Sequence, residues 1–230
     1  MDVLLIPGLW LDASSWRDVV PTLEQAGHRV RALTMPGVGA AASDSSDIGI
    51  EDWIDALVAE IDATEGDVVL VGHSGGGNVA WGAADRRPER VARVVFVDTI
   101  APAPGFGINE FEVVDGVVPF PGWDFFDEPD VADLDSATRE RTLPMTSAVP
   151  ARVPIDPIRL DDDRRHTIPV TFLSGMFAPD AFRAAIAEWG PYAAEFEAID
   201  DAEIVHIASG HWPQFSKPDE LADAIVAAIR

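Results

Sequence analysis

Six short apolar runs punctuate the chain, at Val3–Ile6, Arg29–Leu33, Val68–Val71, Val94–Val97, Val170–Leu173 and Glu203–Ile207, and as a set they are rich in β-branched residues. Runs of this length suit strands. Most are continuous rather than alternating, which implies burial on both faces, the property of a parallel sheet covered by helices. Between them lie stretches of helical period, predicting helices over Ser15–Ala26, Ile50–Thr64, Gly76–Arg86, Asp180–Trp189 and Pro218–Ile229. Ser216 is available as N-cap of the last, with Pro218 and Asp219 in its first turn. The pattern predicts an α/β fold: a mostly parallel sheet of about six strands with helices on both faces.

One region breaks this rhythm. From Ala101 to about Thr167 the chain is rich in Pro, Asp and Phe, as in "VVPFPGWDFFDEPDVADLDS", and shows no run of the sheet type. Roughly 65 residues without structure would be unusual in a compact domain, so this stretch is expected to form an inserted cap with short helices, one of them around Ala137–Arg141. It leaves from the end of the fourth strand, and open α/β sheets bind ligands at the carboxyl ends of their strands. Residues 1–230 are therefore expected to form one domain with a cap over about 101–167.

Composition narrows the chemistry. The 230 residues hold 40 acidic and 16 basic side chains, a net charge of −24, whose field repels nucleic-acid phosphates and anionic membrane surfaces. There is no cysteine, which removes thiolate metal sites and cysteine nucleophiles. Lys217 is the only lysine and does not follow a glycine-rich loop, which argues against Schiff-base chemistry and a P-loop. No run approaches the roughly 20 apolar residues that span a bilayer. "MDVLLIPGLW" lacks the basic start of a signal peptide, so a cytoplasmic protein is expected.

"VVLVGHSGGGNVAW" carries the strongest local signal. Gly75-Gly76-Gly77-Asn78-Val79-Ala80 satisfies the dinucleotide fingerprint G-x-G-x-x-A, and Asp98 lies 18 residues beyond Ala80, near the distance at which an acid holds a ribose hydroxyl. That fingerprint normally follows the first strand, however, and here it follows the third. The rival reading, Gly72-His73-Ser74-Gly75-Gly76, is G-x-S-x-G between an apolar run and a helix, the nucleophile elbow. A serine held in a strained tight bend needs neighbours two positions either side without side chains, because strand and helix approach closely there.

A serine hydroxyl is a poor nucleophile until a neighbouring imidazole accepts its proton. His211, in "ASGHWPQFSKPDELADAI", lies in the loop between the last strand and the last helix, at the same sheet edge as the elbow. Donors for an oxyanion are expected from Gly75 N–H and from Leu9 N–H in the loop "IPGLW". Trp10, His73, Trp123 and Trp212 flank these loops and the cap, and are the expected walls of an apolar pocket for a small ester or acyl substrate. No metal and no cofactor is implied.

These motifs resemble the α/β-hydrolases, in particular the small cofactor-free esterases similar to the plant methylesterase and hydroxynitrile lyase group and its bacterial relatives. "LLIPGLWLDASSWRDVVPTLEQAGHRVRALTMPG" matches that group's opening strand, oxyanion loop and first helix, "VVLVGHSGGG" its elbow and "SGHWPQFSKPDELADAI" its histidine loop and last helix. The group usually has His-Gly where this chain has Pro7-Gly8, and the run at Val3–Ile6 is expected to correspond to that group's third strand. The resemblance implies a serine hydrolase acting through an acyl-enzyme, though lyases and binding proteins share the scaffold. It also implies an acid after the penultimate strand, where Met176, Phe177 and Ala178 stand and Asp180 comes late. The alternative position is the end of the strand after the elbow helix, where Asp98 stands. Ser74, His211 and Asp98 are the expected triad, with Asp180 as the competing acid.

Overall fold

Residues 1–229 are described by the structure, a computed structural model. Its strands are β1 (Asp2–Ile6), β2 (Arg29–Ala32), β3 (Val68–His73), β4 (Val91–Val97), β5 (Val117–Val118), β6 (Val149–Pro150), β7 (Val170–Ser174) and β8 (Ala202–His206). Six of them form one sheet in the order β2-β1-β3-β4-β7-β8, and every neighbouring pair is parallel. The order reverses direction between β1 and β3, which opens a crevice at the carboxyl ends of these two strands, where ligands bind in open α/β sheets. Pro7–Leu9 and His73–Gly75 sit at that crevice.

The helices are α1 (Val20–Gln25), α2 (Ala42–Ser45), α3 (Ile50–Ala63), α4 (Gly75–Arg86), α5 (Glu128–Val131), α6 (Ser136–Thr142), α7 (Pro179–Ile186), α8 (Pro191–Ala198), α9 (Pro213–Ser216) and α10 (Pro218–Ile229). Successive strand residues divide between two cores, because side chains alternate across a sheet. Leu4, Ile6, Leu70, Phe96 and Phe172 pack with Trp53, Leu57 and Trp81 from α3 and α4. Val3, Leu5, Val71, Val95 and Leu173 pack on the other face with Trp16, Leu23, Leu221 and Ile225. The central strands β1, β3, β4 and β7 are therefore largely dry on both faces, as their apolar runs require, while the edge strands β2 and β8 are partly exposed.

Three helix expectations need correction. The helix expected over Ser15–Ala26 is broken into a 3₁₀ turn at Ala13–Trp16 and the short α1, with Pro21 at the second position of α1. Proline has no N–H to donate, so a continuous helix through it would lose a bond and clash one turn back. Ser216 is the last residue of α9 rather than a cap for α10, and its hydroxyl donates back to Trp212 O. The helix expected over Asp180–Trp189 ends at Ile186, and α8 beyond Gly190, which the periodicity did not reveal, completes that face.

Between β4 and β7 the chain contributes nothing to the main sheet. It carries the two-residue antiparallel pair β5–β6, helices α5 and α6, and 3₁₀ turns at Trp123–Phe125, Leu143–Met145 and Asp163–Thr167. One end is pinned over the crevice by Ser147 N–H donating to Trp10 O at 2.7 Å. The other is anchored by a buried polar network. Arg165 donates to Glu195 Oε1 at 2.8 Å and to Asp85 Oδ1 at 3.2 Å, and Trp81 Nε1 donates to Glu195 Oε1 at 2.7 Å. This joins α4, α8 and the 3₁₀ turn before β7 through charges that are paired, as buried charges must be.

Candidate active site

At the end of β3 the backbone bends sharply into α4. Ser74, the N-cap of α4, has φ 50° and ψ −126°, a left-handed conformation that costs a non-glycine residue on the order of 1–3 kcal/mol and persists only where its surroundings enforce it. The glycines around it are enforced sterically. A Cβ on Gly72 would stand 2.6 Å from Gly76 O, and one on Gly76 would stand 2.5 Å from Pro7 O and 2.6 Å from Ile6 O. Strand, helix and the loop after β1 thus approach too closely for any side chain at either position. The clearance expected of Gly72 and Gly76 is what the backbone requires.

The bend aims Ser74 Oγ at His211, with Oγ 2.9 Å from His211 Nε2. On the other side of the ring, His211 Nδ1 lies 2.7 Å from Asp98 Oδ2. A carboxylate accepts only, so Nδ1 carries the proton and donates to Asp98, leaving Nε2 free to accept from the serine hydroxyl. Asp98 stands immediately after β4 with φ 44°, and its Oδ1 accepts Gly175 N–H at 2.8 Å. Burial acts to raise the Asp98 carboxyl. The hydrogen bond from His211, the attraction of that ring whenever it is protonated, and the Gly175 N–H outweigh it and hold the group below the usual carboxylate range. Asp180, the competing acid, is exposed in the first turn of α7 and makes no hydrogen bond to His211. After the penultimate strand stands Gly175, where a Cβ would meet Ser209 O at 2.7 Å and Gly210 O at 2.8 Å. The histidine loop packs against that position, and Met176, Phe177 and Ala178 beyond it carry no carboxylate.

The histidine loop is gripped on several sides. His211 N–H donates to Asp130 O at 2.8 Å, and Gly210 N–H donates to Asp133 Oδ2 at 2.8 Å, both from the segment around α5. From below, His73 Nε2 donates to His211 O at 2.7 Å, while His73 Nδ1 accepts from Gln214 Nε2 at 3.2 Å. Burial, with the neighbouring His211, pushes the His73 imidazole down to about 3, so it is neutral at physiological pH.

A cavity of about 770 Å³ opens above Ser74 and His211. Trp10, His73 and Trp212, three of the expected walls, line it, and so do Leu9 and Gly75, the expected oxyanion donors. Leu9 and Gly75 are close neighbours, since a Cβ on Gly75 would stand 3.1 Å from Leu9 Cγ. Trp123 does not line it. Its ring packs edge-on to Trp212 at 5.1 Å in a cluster with Leu11, Met145 and Phe215, and its N–H donates to Arg139 O. It supports the wall from behind, because its polar tip finds a partner within its own segment. Sequence reasoning missed the walls supplied by Phe111, Phe126, Trp189 and Tyr192, and also missed Asn78 on the cavity floor. The phenylalanine-rich composition was visible, but with no period in that stretch nothing indicated which rings face inward.

Both oxygens of Asp98 are occupied, one by His211 and one by Gly175 N–H. It is not the free acid that the dinucleotide fingerprint needs for a ribose. A Cβ on Gly77 would stand 2.6 Å from Thr99 Cγ2, so the third glycine serves packing against the end of β4.

Fold and crevice together place the chain in a known class. The family described as Alpha/beta hydrolase family matches residues 3–224, and the chain belongs to it. Among curated relatives, a carbendazim hydrolyzing esterase of a Nocardioides species is 38% identical over 104 residues, covering 44% of this chain and 43% of that protein. Methylesterase 8 of Arabidopsis thaliana is 35% identical over 115 residues, covering 47% of this chain and 42% of that protein. The chain thus matches under half the length of either. Among solved structures, an extracellular α/β-hydrolase from a Paenibacillus species superposes with a TM-score of 0.78 at 20% identity, covering 99% of this chain and 98% of that one, which establishes the shared fold. No helix among the described residues is long and apolar enough to cross a membrane.

Proposed function

We propose that the protein is a serine esterase that cleaves a small, largely apolar carboxylic ester through an acyl-enzyme. The observation that carries this reading is the continuous hydrogen-bonded line from Ser74 Oγ through His211 to Asp98 at the floor of a cavity. The esterase names of the two curated relatives support the choice of an ester as substrate.

In this reading Ser74 Oγ attacks the ester carbonyl as His211 Nε2 takes its proton, and the same proton passes to the departing alkoxide, releasing the alcohol. A water then repeats the sequence on the acyl-enzyme, giving the carboxylic acid and restoring Ser74. Asp98 holds the Nδ1–H tautomer and stabilises the imidazolium. Leu9 N–H and Gly75 N–H receive the oxyanion, where fixed donors act at no reorganisation cost. Residues 101–167 act as a cap whose aromatic side chains exclude water from the acyl group. The test is turnover of short-chain aryl esters: Ser74→Ala and His211→Ala should each abolish it while melting as wild type does. Retained turnover in either variant would overturn the reading.

A further inference from the structure

The floor of the cavity holds a polar side chain that the reaction just described leaves unused. Asn78 lies on the first turn of α4, four residues beyond Ser74, and is only 8% exposed, yet it lines the cavity. Its amide has no hydrogen-bond partner among the described residues, and it is absent from the buried polar atoms sealed away from solvent. What its polar atoms face is therefore the cavity. Thr99, beside it at the end of β4, lines the same floor, and its hydroxyl is likewise without a protein partner among the described residues. Polar tips that open into a ligand cavity without a protein partner are left to solvent or to the ligand, and a ligand that covers them must pair with them or leave them unsatisfied.

We propose that Asn78, assisted by Thr99, is a specificity-determining subsite for an acyl chain that carries a neutral hydrogen-bonding group, such as a hydroxyl, within a few bonds of the scissile carbonyl. The proposal rests on the esterase reading for its orientation. The leaving oxygen must face His211 Nε2 to receive its proton, so the acyl chain runs away from His211 into the rest of the cavity, which Asn78 and Thr99 line. The amide and the hydroxyl can each donate and accept, which suits a hydroxyl or amide equally. Neutrality follows from the rest of the wall. Asp127 and Asp130 line the cavity and no lysine or arginine among the described residues does, so a carboxylate substituent would meet repulsion without a counter-charge.

A shape-matched pair of esters tests this: ethyl 3-hydroxybutanoate against ethyl 3-methylbutanoate, which replaces the hydroxyl by a methyl group. A site built to hydrogen-bond a substrate hydroxyl discriminates against the analogue lacking it. Wild-type kcat/KM should favour the hydroxy ester by at least about fivefold, and Asn78→Leu should bring the ratio close to one. Binding of the same two esters to Ser74→Ala protein, read by ligand-detected NMR titration, should show the same preference and the same loss in the Ser74→Ala/Asn78→Leu double variant. Equal handling of the two esters by the unmodified subsite would overturn the proposal. So would an Asn78→Leu protein that loses both activities in equal proportion, since that is the mark of a structural role. Failure to turn over either ester would instead count against the esterase reading, and the NMR comparison would still decide the subsite.

Discussion

His73 Nε2 donates to the backbone carbonyl of His211 at 2.7 Å, so the imidazole preceding the elbow serine holds the peptide group of the histidine that faces it. Neither ring needs to be charged for this. Replacing the donor leaves a buried carbonyl unsatisfied, at a cost of about 1–3 kcal/mol. His73→Leu should lower stability by that amount and reduce kcat more than it alters KM, because the loop carrying His211 loses its lower anchor. Urea denaturation and steady-state kinetics on the same preparation check both.

The same residue sets a pH dependence. Folded His73 binds its proton only near pH 3, whereas an unfolded histidine does so near 6.5. Between these values the unfolded chain binds more protons, so stability is complete above about pH 6.5 and is lost as pH falls below it. Melting temperature should decline from pH 6.5 to 5, above the range where carboxylates titrate, and His73→Leu should flatten that decline. An unchanged slope in the variant would contradict the neutral, buried assignment.

Asp98 and Asp180 make opposite forecasts. Loss of the acid that fixes the imidazole tautomer can approach 10⁴-fold in rate in a well-studied serine protease. Asp98→Asn should lower kcat/KM by at least about 10²-fold in a protein that still folds, whereas Asp180→Asn should cost less than about tenfold. Circular dichroism and melting on both variants separate a triad effect from a folding defect. The reverse ranking would return the acid to the region after the penultimate strand.

The tightness of the elbow is testable at Gly76. With backbone oxygens 2.5 and 2.6 Å from the position an alanine methyl would take, Gly76→Ala forces β3, α4 or the loop after β1 to shift. Overpacking of this kind costs about 1–3 kcal/mol, and the shift also displaces the serine. Lower stability together with lost turnover is expected, read by denaturation and by kinetics.

The buried network at Glu195 should be the most sensitive point far from Ser74. Removing one partner of a buried pair leaves an uncompensated charge, at about 3–5 kcal/mol. Arg165→Met leaves two buried carboxylates, Glu195 and Asp85, without the guanidinium they share, whereas Arg165→Met/Glu195→Leu removes one of them, and Asp85 keeps the Asp161 and Asp162 N–H groups. The double variant should therefore be the more stable of the two in chemical denaturation.

Much of the scaffold was legible because its signals are local. Short apolar runs, most of them continuous, marked the six strands of the main sheet, and the glycines at 72 and 76 marked the bend, since each reflects a demand within a few residues. His211 was legible from its loop alone. Asp98 was visible as a carboxylate ending an apolar strand, but what sets it apart from Asp180, its contact with His211 Nδ1, is made across the fold. Contacts made across the fold left no local trace. His73 against His211, Asn78 facing the cavity, and the joining of Asp85, Arg165 and Glu195 depend on segments far apart in the chain meeting in space. Trp123 was placed on the wall for the same reason: in a stretch without period, an aromatic residue has no readable direction.

Every step assigned to this site depends on the nucleophilicity of Ser74. Intact-mass and peptide mapping after treatment with a fluorophosphonate probe measure it directly, because phosphonylation forms an O–P bond at the serine and expels fluoride. One adduct per chain is expected, mapped to Ser74 and absent from Ser74→Ala, with labelling slowed in His211→Ala. Folded wild-type protein that stays unlabelled, or carries its adduct on another residue, would contradict the assignment of Ser74 as nucleophile.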